Sequence, residues 1–441
     1  MIYKLYFYTL ILFVFTSCGN ETADNNQNFK DSPIICQEDK SITSLYKEDY
    51  QKPIQFKAPQ NLKLLLTDKK IAKKSSFDKQ GLYNLFQTEY FWAEETKKNL
   101  DVSGYTEPQK LIDDIKYKDD RWSFAVTKKL YNDAISQKSI GFGFSCQDIE
   151  KGCLITYVRI DSPADKIDLR RGDIIQKINN QTATKELIYA KGQEKKLLKF
   201  ELLRPNNNKH CSGKIKAREY RYKVVNSKIL TTLKNEKIGY LRIDSFLGDN
   251  EILAQINNSF NNFKKNSIQK LVIDLRYNGG GSVDLASKLL DKLVINKENQ
   301  TQFTLAWNKA YQNRNQKYSF AYSLNALDLK QILFLTTRNS ASASELIISA
   351  MKPYLPEEDV VIVGDRTHGK PVGMSGQNDG TYYYFLINFV VKNSLGFYDY
   401  FDGLSVTSGC NVADDPFHEM GDPKESMLKS ALQYIDTGSC Q

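Results

Sequence analysis

The sequence predicts a multidomain α/β protein whose functional residues sit on a parallel β-α-β unit. Three observations lead there. The first is a pair of short apolar, β-branched runs, QILFLTT (331–337) and VVIVG (360–364), with SELIISAM (344–351) between them. The runs read as buried strands and the segment between them as a helix. The second is QKLVIDLRYNGGGS (269–282), an apolar strand ending in three glycines, followed by VDLASKLLDKL (283–293), which reads as a helix. Glycines at a strand-to-helix turn let backbone N–H groups approach a ligand closely. The third is the stretch 140–181, in which a glycine–aromatic loop, Gly141-Phe142-Gly143-Phe144, precedes strand-like runs and the phrase Leu169-Arg170-Arg171-Gly172-Asp173-Ile174-Ile175. A chain of 441 residues has room for roughly two to four domains, each with ample core.

The elements can be taken in chain order. After a basic start at Lys4, Leu5 to Phe15 is apolar but too short to span a bilayer, so residues 1–18 read as a signal peptide. Phe15-Thr16-Ser17-Cys18-Gly19 resembles a bacterial lipobox, which makes Cys18 the lipid-bearing first residue of the mature chain. The Phe three residues before Cys18 is atypical there, and ordinary signal-peptidase cleavage is the alternative. Residues 19–75 read as a polar tether and Lys-rich lead-in. Residues 76–138 place Leu82, Leu85, Phe86, Tyr90 and Trp92 at near-helical spacing and read as a small helical domain. The glycine-containing β-rich module covers 139–225, and the domain carrying the parallel β-α-β unit covers 226–441. Within the latter, Ile238 to Ile243 reads as an early strand, TYYYFLINFVVK (381–392) as a long one, and ESMLKSALQYID (425–436) as a closing amphipathic helix. The expectation is an exported chain, in the periplasm, on the outer membrane or at the cell surface, held to the membrane at Cys18 and otherwise soluble.

Composition narrows the function classes. The net charge of +9 comes from scattered basic pairs such as Lys69-Lys70 and Lys195-Lys196, with no nucleic-acid motif, so a solvated surface accounts for it and no nucleic-acid partner is expected. The three histidines, His210, His368 and His418, form no ligand pair, so neither metal nor cofactor is expected. Beyond Cys18 the cysteines are 36, 146, 153, 211, 410 and 440. An even set in an exported chain permits disulfides. Cys146 with Cys153 would bridge neighbouring strands and Cys410 with Cys440 would tie down the C-terminal segment, while free buried thiols are the alternative.

The chemistry concentrates in Ser340-Ala341-Ser342-Ala343-Ser344-Glu345 and in the loop Asp365-Arg366-Thr367-His368-Gly369 that leads to Lys370. In a parallel β-α-β unit both loops open at one sheet edge, where ligands usually sit. A serine hydroxyl needs a base beside it, and lysine serves only when an apolar pocket keeps it neutral. The helix start supplies N–H groups and a positive dipole end for a developing oxyanion. Read alone, the run is equally a serine-rich N-cap with Glu345 completing a capping box.

At this point the chain resembles a known family. Segment 140–181 looks like a PDZ domain, whose glycine–aromatic loop, here Gly141 to Phe144, binds a peptide carboxy terminus and whose sheet edge takes the peptide as an added strand. DLRYNGGG, SASASE and THGK after such a module resemble the C-terminal processing peptidases, or tail-specific proteases, over roughly residues 80–440. Asp120-Arg121-Trp122-Ser123-Phe124 is similar to lipoprotein members from Bacteroidota. The resemblance implies a ClpP/crotonase-like α/β catalytic domain, a serine–lysine endopeptidase activity, and substrates that are proteins or peptides with disordered or C-terminal segments. It implies Ser342 as nucleophile, Lys370 as general base, Glu345 as an acidic residue near the site, and the N–H groups of Ala343 and Gly280 as the oxyanion hole. Many members carry a glutamine four residues after the lysine; here that position is Met374. Two other readings stand beside this one. The first is a catalytically inactive PDZ lipoprotein that only binds peptides. The second is a serine–histidine hydrolase using His368, which otherwise packs beside the lysine loop.

Overall fold

A strand, β1 (Ser32–Glu38), arises within the lead-in that the sequence leaves without an element. The computed structural model describes residues 31–38, 77–195, 197–248 and 250–441. The signal segment, Cys18 and most of the tether fall outside those residues. The described residues belong to one compact unit, Asp31–Gln441.

The next segment holds α1 (Lys79–Thr88), α2 (Pro108–Ile115), β2 (Phe124–Thr127) and α3 (Lys128–Ile135). α1 begins where the Asp78 carboxylate accepts the Gly81 N–H at 2.8 Å. It ends at Thr88, so Tyr90 and Trp92 lie beyond the helix that their spacing suggests. The cause is tertiary: the Asn308 side-chain amide donates to the Thr88 and Tyr90 carbonyls at 2.9 and 2.8 Å, drawing the chain out of its helical ladder. These helices do not pack alone. Leu82, Phe86, Tyr90, Leu111, Ile112 and Trp122 share a core with Val372, Tyr384 and Ile387 from the far end of the chain.

The β-rich part follows with β3 (Lys138–Gly141), β4 (Phe144–Ile149), β5 (Gly152–Val158), α4 (Pro163–Lys166), β6 (Ile174–Ile178), β7 (Gln181–Thr182), α5 (Lys185–Gln193), β8 (Leu197–Arg204), β9 (Lys209–Lys216) and β10 (Arg218–Arg221). Seven strands form one sheet in the order β1-β9-β8-β6-β5-β4, with β7 beside β6. β4 is therefore an edge strand, while β3 pairs separately with β10. Alternate residues of β8, Leu198, Phe200 and Leu202, fill the core beneath this sheet. Cys36 of β1 is bonded to its register partner Cys211 of β9, and Cys146 is bonded to Cys153 across β4 and β5. A third disulfide joins Cys410 to Cys440.

The remainder contains β11 (Val225–Thr231), β12 (Lys237–Ile243), α6 (Asn250–Lys265), β13 (Lys270–Asp274), α7 (Val283–Leu290), β14 (Thr301–Trp307), β15 (Gln316–Ser319), β16 (Gln331–Thr336), α8 (Ala343–Met351), β17 (Val360–Gly364), β18 (Val372–Asn378), β19 (Tyr382–Asn393) and α9 (Ser426–Thr437). The order β11-β12-β13-β16-β17 makes a sheet that is parallel from β12 to β17. Its strands are apolar on both faces because both are covered. Ile332 and Phe334 of β16 face the core under α6, α7 and α8, while Leu333 and Leu335 face Met427, Leu428 and Ala431 of α9. A second five-stranded sheet runs β15-β14-β19-β18, and β2 joins it beside β19, fixing the N-terminal helices to the region after the lysine loop. Among the described residues no helix is long and apolar enough to cross a membrane.

Candidate active site

Three loops leave the same edge of the parallel sheet: 275–282 after β13, 337–342 after β16 and 365–371 after β17. The middle loop sorts its serines by hydrogen bonding. Ser340 Oγ donates to the Leu275 carbonyl at 2.8 Å and accepts the Thr337 N–H, and it is fully buried. Ser344 Oγ donates to the Asn278 carbonyl at 2.9 Å and is likewise fully buried. Ser342 alone of the three keeps partial exposure. It sits directly before α8 at φ 56°, a left-handed value that costs a non-glycine residue energy.

Glu345 ties this serine to the lysine loop. Its buried carboxylate accepts the Ser342 N–H at 2.8 Å and the Lys370 N–H at 2.9 Å on Oε2, and the Thr367 hydroxyl and the Gly369 N–H, both at 2.6 Å, on Oε1. Burial pushes this carboxyl above the usual range, and the four donors favour its charged form. Burial also pushes the Lys370 ammonium down to about 8, against the upward pull of the Asp120 and Glu345 carboxylates. No hydrogen bond joins Ser342 to Lys370 among the described residues.

The glycine loop closes the third side. A Cβ on Gly280 would stand 2.7 Å from Ser342 Cβ and 3.0 Å from the Ala343 nitrogen, so only glycine at φ 100° lets the loop touch the serine turn. The Gly280 N–H, however, donates to Asn278 Oδ1 at 2.8 Å. That donor, expected for an oxyanion, is engaged within its own loop. Ala343 opens α8, where N–H groups have no helical acceptor.

Sequence reasoning passed over Asp120 and Trp122 as site residues. Trp122 Nε1 lies 3.4 Å from His368 Nε2, and Arg121 donates to the Phe401 carbonyl at 2.9 Å, so the 120–123 segment borders the lysine loop. The only sequence signal was the DRWSF phrase, whose resemblance carries no residue role. His368 packs beside Trp122, and burial pushes its imidazole below the ordinary value. Met374 pairs with Ile387 in the β18–β19 ladder and packs in the apolar cluster around Tyr90 and Trp122. In the β-rich part, Phe142 is buried against the sheet core. The Phe142 and Gly143 carbonyls accept the Ala164 and Arg159 N–H groups, while Phe144 begins the edge strand β4 and Gly141 ends β3. Gly141 and Phe144 belong to two sheets other than the parallel one whose loops carry Ser342 and Lys370. Among the described residues no cluster suits a metal ion.

Comparison with known proteins agrees with this arrangement. Residues 237–387 match Peptidase family S41, and residues 79–124 match the Peptidase S41 N-terminal domain. A protein of Staphylococcus haemolyticus described as a probable CtpA-like serine protease is 26% identical over 264 residues, covering 57% of this chain and 49% of that protein. A Staphylococcus aureus (strain MRSA252) protein of the same description is 26% identical over 304 residues, covering 66% and 56%. The chain thus spans about half the length of the curated relatives it matches. The crystal structure of a candidate S41 protease from Bacteroides fragilis shares the fold, with a TM-score of 0.70 at 21% identity, covering 83% of this chain and 99% of that one. Two segments of the chain, 79–124 and 237–387, thus match S41 peptidase models, and the fold is the one seen in the Bacteroides fragilis structure.

Proposed function

We propose that the chain is an exported serine endopeptidase that cuts unstructured or C-terminal protein segments with a Ser342–Lys370 dyad. The observation that carries this is the Glu345 carboxylate, which holds the Ser342 and Lys370 backbones on one oxygen at 2.8 and 2.9 Å. A lysine lowered to about 8 has a usable neutral fraction near working pH. Neutral Lys370 takes the Ser342 hydroxyl proton as Oγ bonds to the scissile carbonyl carbon. The Ala343 N–H faces the oxyanion, and Gly280 joins it if Asn278 releases its N–H. Collapse breaks the C–N bond, and the Lys370 ammonium protonates the leaving amine. Lys370 then deprotonates a water that attacks the acyl ester, and the proton returns to Oγ.

The 139–225 segment is proposed to act as a PDZ-like module. Edge strand β4 with α5 alongside offers the place where a peptide strand would add, near Gly141 to Phe144. The three disulfides suit an oxidising compartment, in line with export and lipid attachment at Cys18. The engaged Gly280 N–H favours the second reading, a peptide-binding protein without catalysis.

One experiment separates the two. Protein produced from residue 19 onward is expected to degrade an unstructured peptide and to be labelled by a fluorophosphonate probe, with Ser342→Ala and Lys370→Ala inactive in both assays. Peptide binding by wild type without turnover or labelling, or undiminished turnover in either variant, overturns the endopeptidase reading.

A further inference from the structure

The β8–β9 pair turns one face to a core and the other outward. Leu198, Phe200 and Leu202 of β8, with Cys211 and Ile215 of β9, fill the core. The alternate positions Lys199 and Glu201, and Lys214 and Lys216, are exposed on the opposite face. Lys177 of β6 stands beside Glu201 and pairs with it at 3.3 Å. Glu201 is the only acid among the exposed positions of β6, β8 and β9. Lys199 and Lys214 are direct register partners. Like charges opposite one another on a sheet destabilise it, so this arrangement calls for a counter-anion. Ile35 of β1 joins the same face beside Ser212 and is 68% exposed.

Chain connectivity points to what meets this face. Ser32, the first residue of β1, is the register partner of Lys214, and the Asp31 carboxylate accepts the Lys216 N–H at 2.9 Å. The chain therefore enters the body directly beside these lysines. Cys18 lies fourteen positions before Ser32, a span of roughly 50 Å at most. A lipid at Cys18 keeps this end of the sheet near the bilayer, where a weak attraction suffices because the second contact is intramolecular. A sheet face with lysines around one apolar side chain is complementary to a layer of anionic headgroups. We propose that this face, built from Lys177, Lys199, Lys214, Lys216 and Ile35, docks on anionic phospholipid and lays the β-rich part against the membrane. The proposal rests on lipid attachment at Cys18, but the surface itself can be tested without it.

The test is partitioning of the chain from residue 19 onward, which keeps every described residue, onto phosphatidylglycerol and phosphatidylcholine vesicles. At low salt the chain is expected to select phosphatidylglycerol, and the selectivity to vanish near 1 M salt, where the screening length is about 3 Å. Lys199→Gln with Lys214→Gln and Lys216→Gln should weaken partitioning on the order of a hundredfold, about fivefold per lysine. The same change at the exposed Lys110, Lys317 and Lys330, on other elements, should leave it nearly as in wild type. Turnover of a soluble unstructured peptide should be unaltered in both triple variants. If the first triple variant does not fold, Lys214→Glu replaces it. Its new cross-strand pair with Lys199 should raise the urea midpoint while partitioning falls. Equal partitioning onto both lipids, or a Lys199, Lys214 and Lys216 variant that partitions like wild type, overturns the proposal. Lysine-dependent binding to duplex DNA with none to phosphatidylglycerol overturns it too. Mass spectrometry of the exported full chain reads Cys18 separately. A lipid there without phosphatidylglycerol selectivity defeats the docking face alone, whereas selectivity without a lipid upholds the face and defeats the anchor.

Discussion

At Lys370, burial and two carboxylates act on one proton in opposite directions, and burial wins. The folded value, about 8, lies below the ordinary lysine value of about 10.4. Between these two values the unfolded chain binds the extra proton, so this residue's contribution to stability improves as pH climbs through that window. Below it the folded protein bears the full cost of a buried ammonium. Lys370→Met is therefore expected to be inactive yet more resistant to urea at pH 7 than wild type, and less distinct from it above pH 10. The serines show what sequence could and could not say at this scale. The SASAS run offers three hydroxyls, and nothing in its spacing chooses among them. The choice comes from Leu275 and Asn278, whose carbonyls consume Ser340 and Ser344. Ser344→Ala should cost about 1 kcal/mol in urea denaturation and keep probe labelling, while Ser342→Ala should lose labelling with its stability unchanged.

Among elements, the legible ones are those whose burial is uniform. β13, β16 and β17 are covered on both faces and stand out as unbroken apolar runs bounded by glycine or polar turns, so their strands, and α8 between two of them, could be placed from sequence. The aromatic spacing of 82–92 does not mark where α1 ends, because Asn308, distant in sequence, captures the Thr88 and Tyr90 carbonyls. The juxtaposition of Trp122 and His368 spans 246 positions and follows from β2 pairing with β19, which no local pattern announces. Two loops depend on a single side chain. Glu345→Ala strands four donors around a buried site, and a loss of about 3 kcal/mol is expected from thermal or urea unfolding, together with loss of labelling. Glu345→Gln should recover part of the stability, because an amide oxygen still accepts.

Across the whole molecule, a buried charge network links parts that sequence reads as separate. Arg171, from the turn before β6, contacts Asp414 at 2.6 Å and the Tyr277 hydroxyl at 2.7 Å. Asp414 also pairs with Arg276 at 2.8 Å, and Arg276 reaches Asp274 and the α9 cap Glu425, each at 2.9 Å. The β-rich sheet, the root of the glycine loop and the closing helix are thereby joined through two buried guanidiniums that share Asp414. Removing one partner from such a set leaves an uncompensated charge, so Asp414→Ala should cost about 3–5 kcal/mol in urea denaturation. The sheet and the catalytic part should also unfold together in wild type and separately in that variant. Asp414 and Glu425 had no motif to mark them, because their partners come from remote strands.

The bond between Cys36 and Cys211 has a further consequence. The two cysteines are 175 positions apart, and strand β1, inside the lead-in, is bolted onto the sheet that follows it. A backbone cut anywhere between Glu38 and Phe77 would leave two fragments still joined covalently. Such a nicked chain would migrate as one species on a non-reducing gel and as two after reduction. Whatever lies upstream of residue 36 would keep its hold on the rest of the chain through sulfur after the peptide path between them is gone.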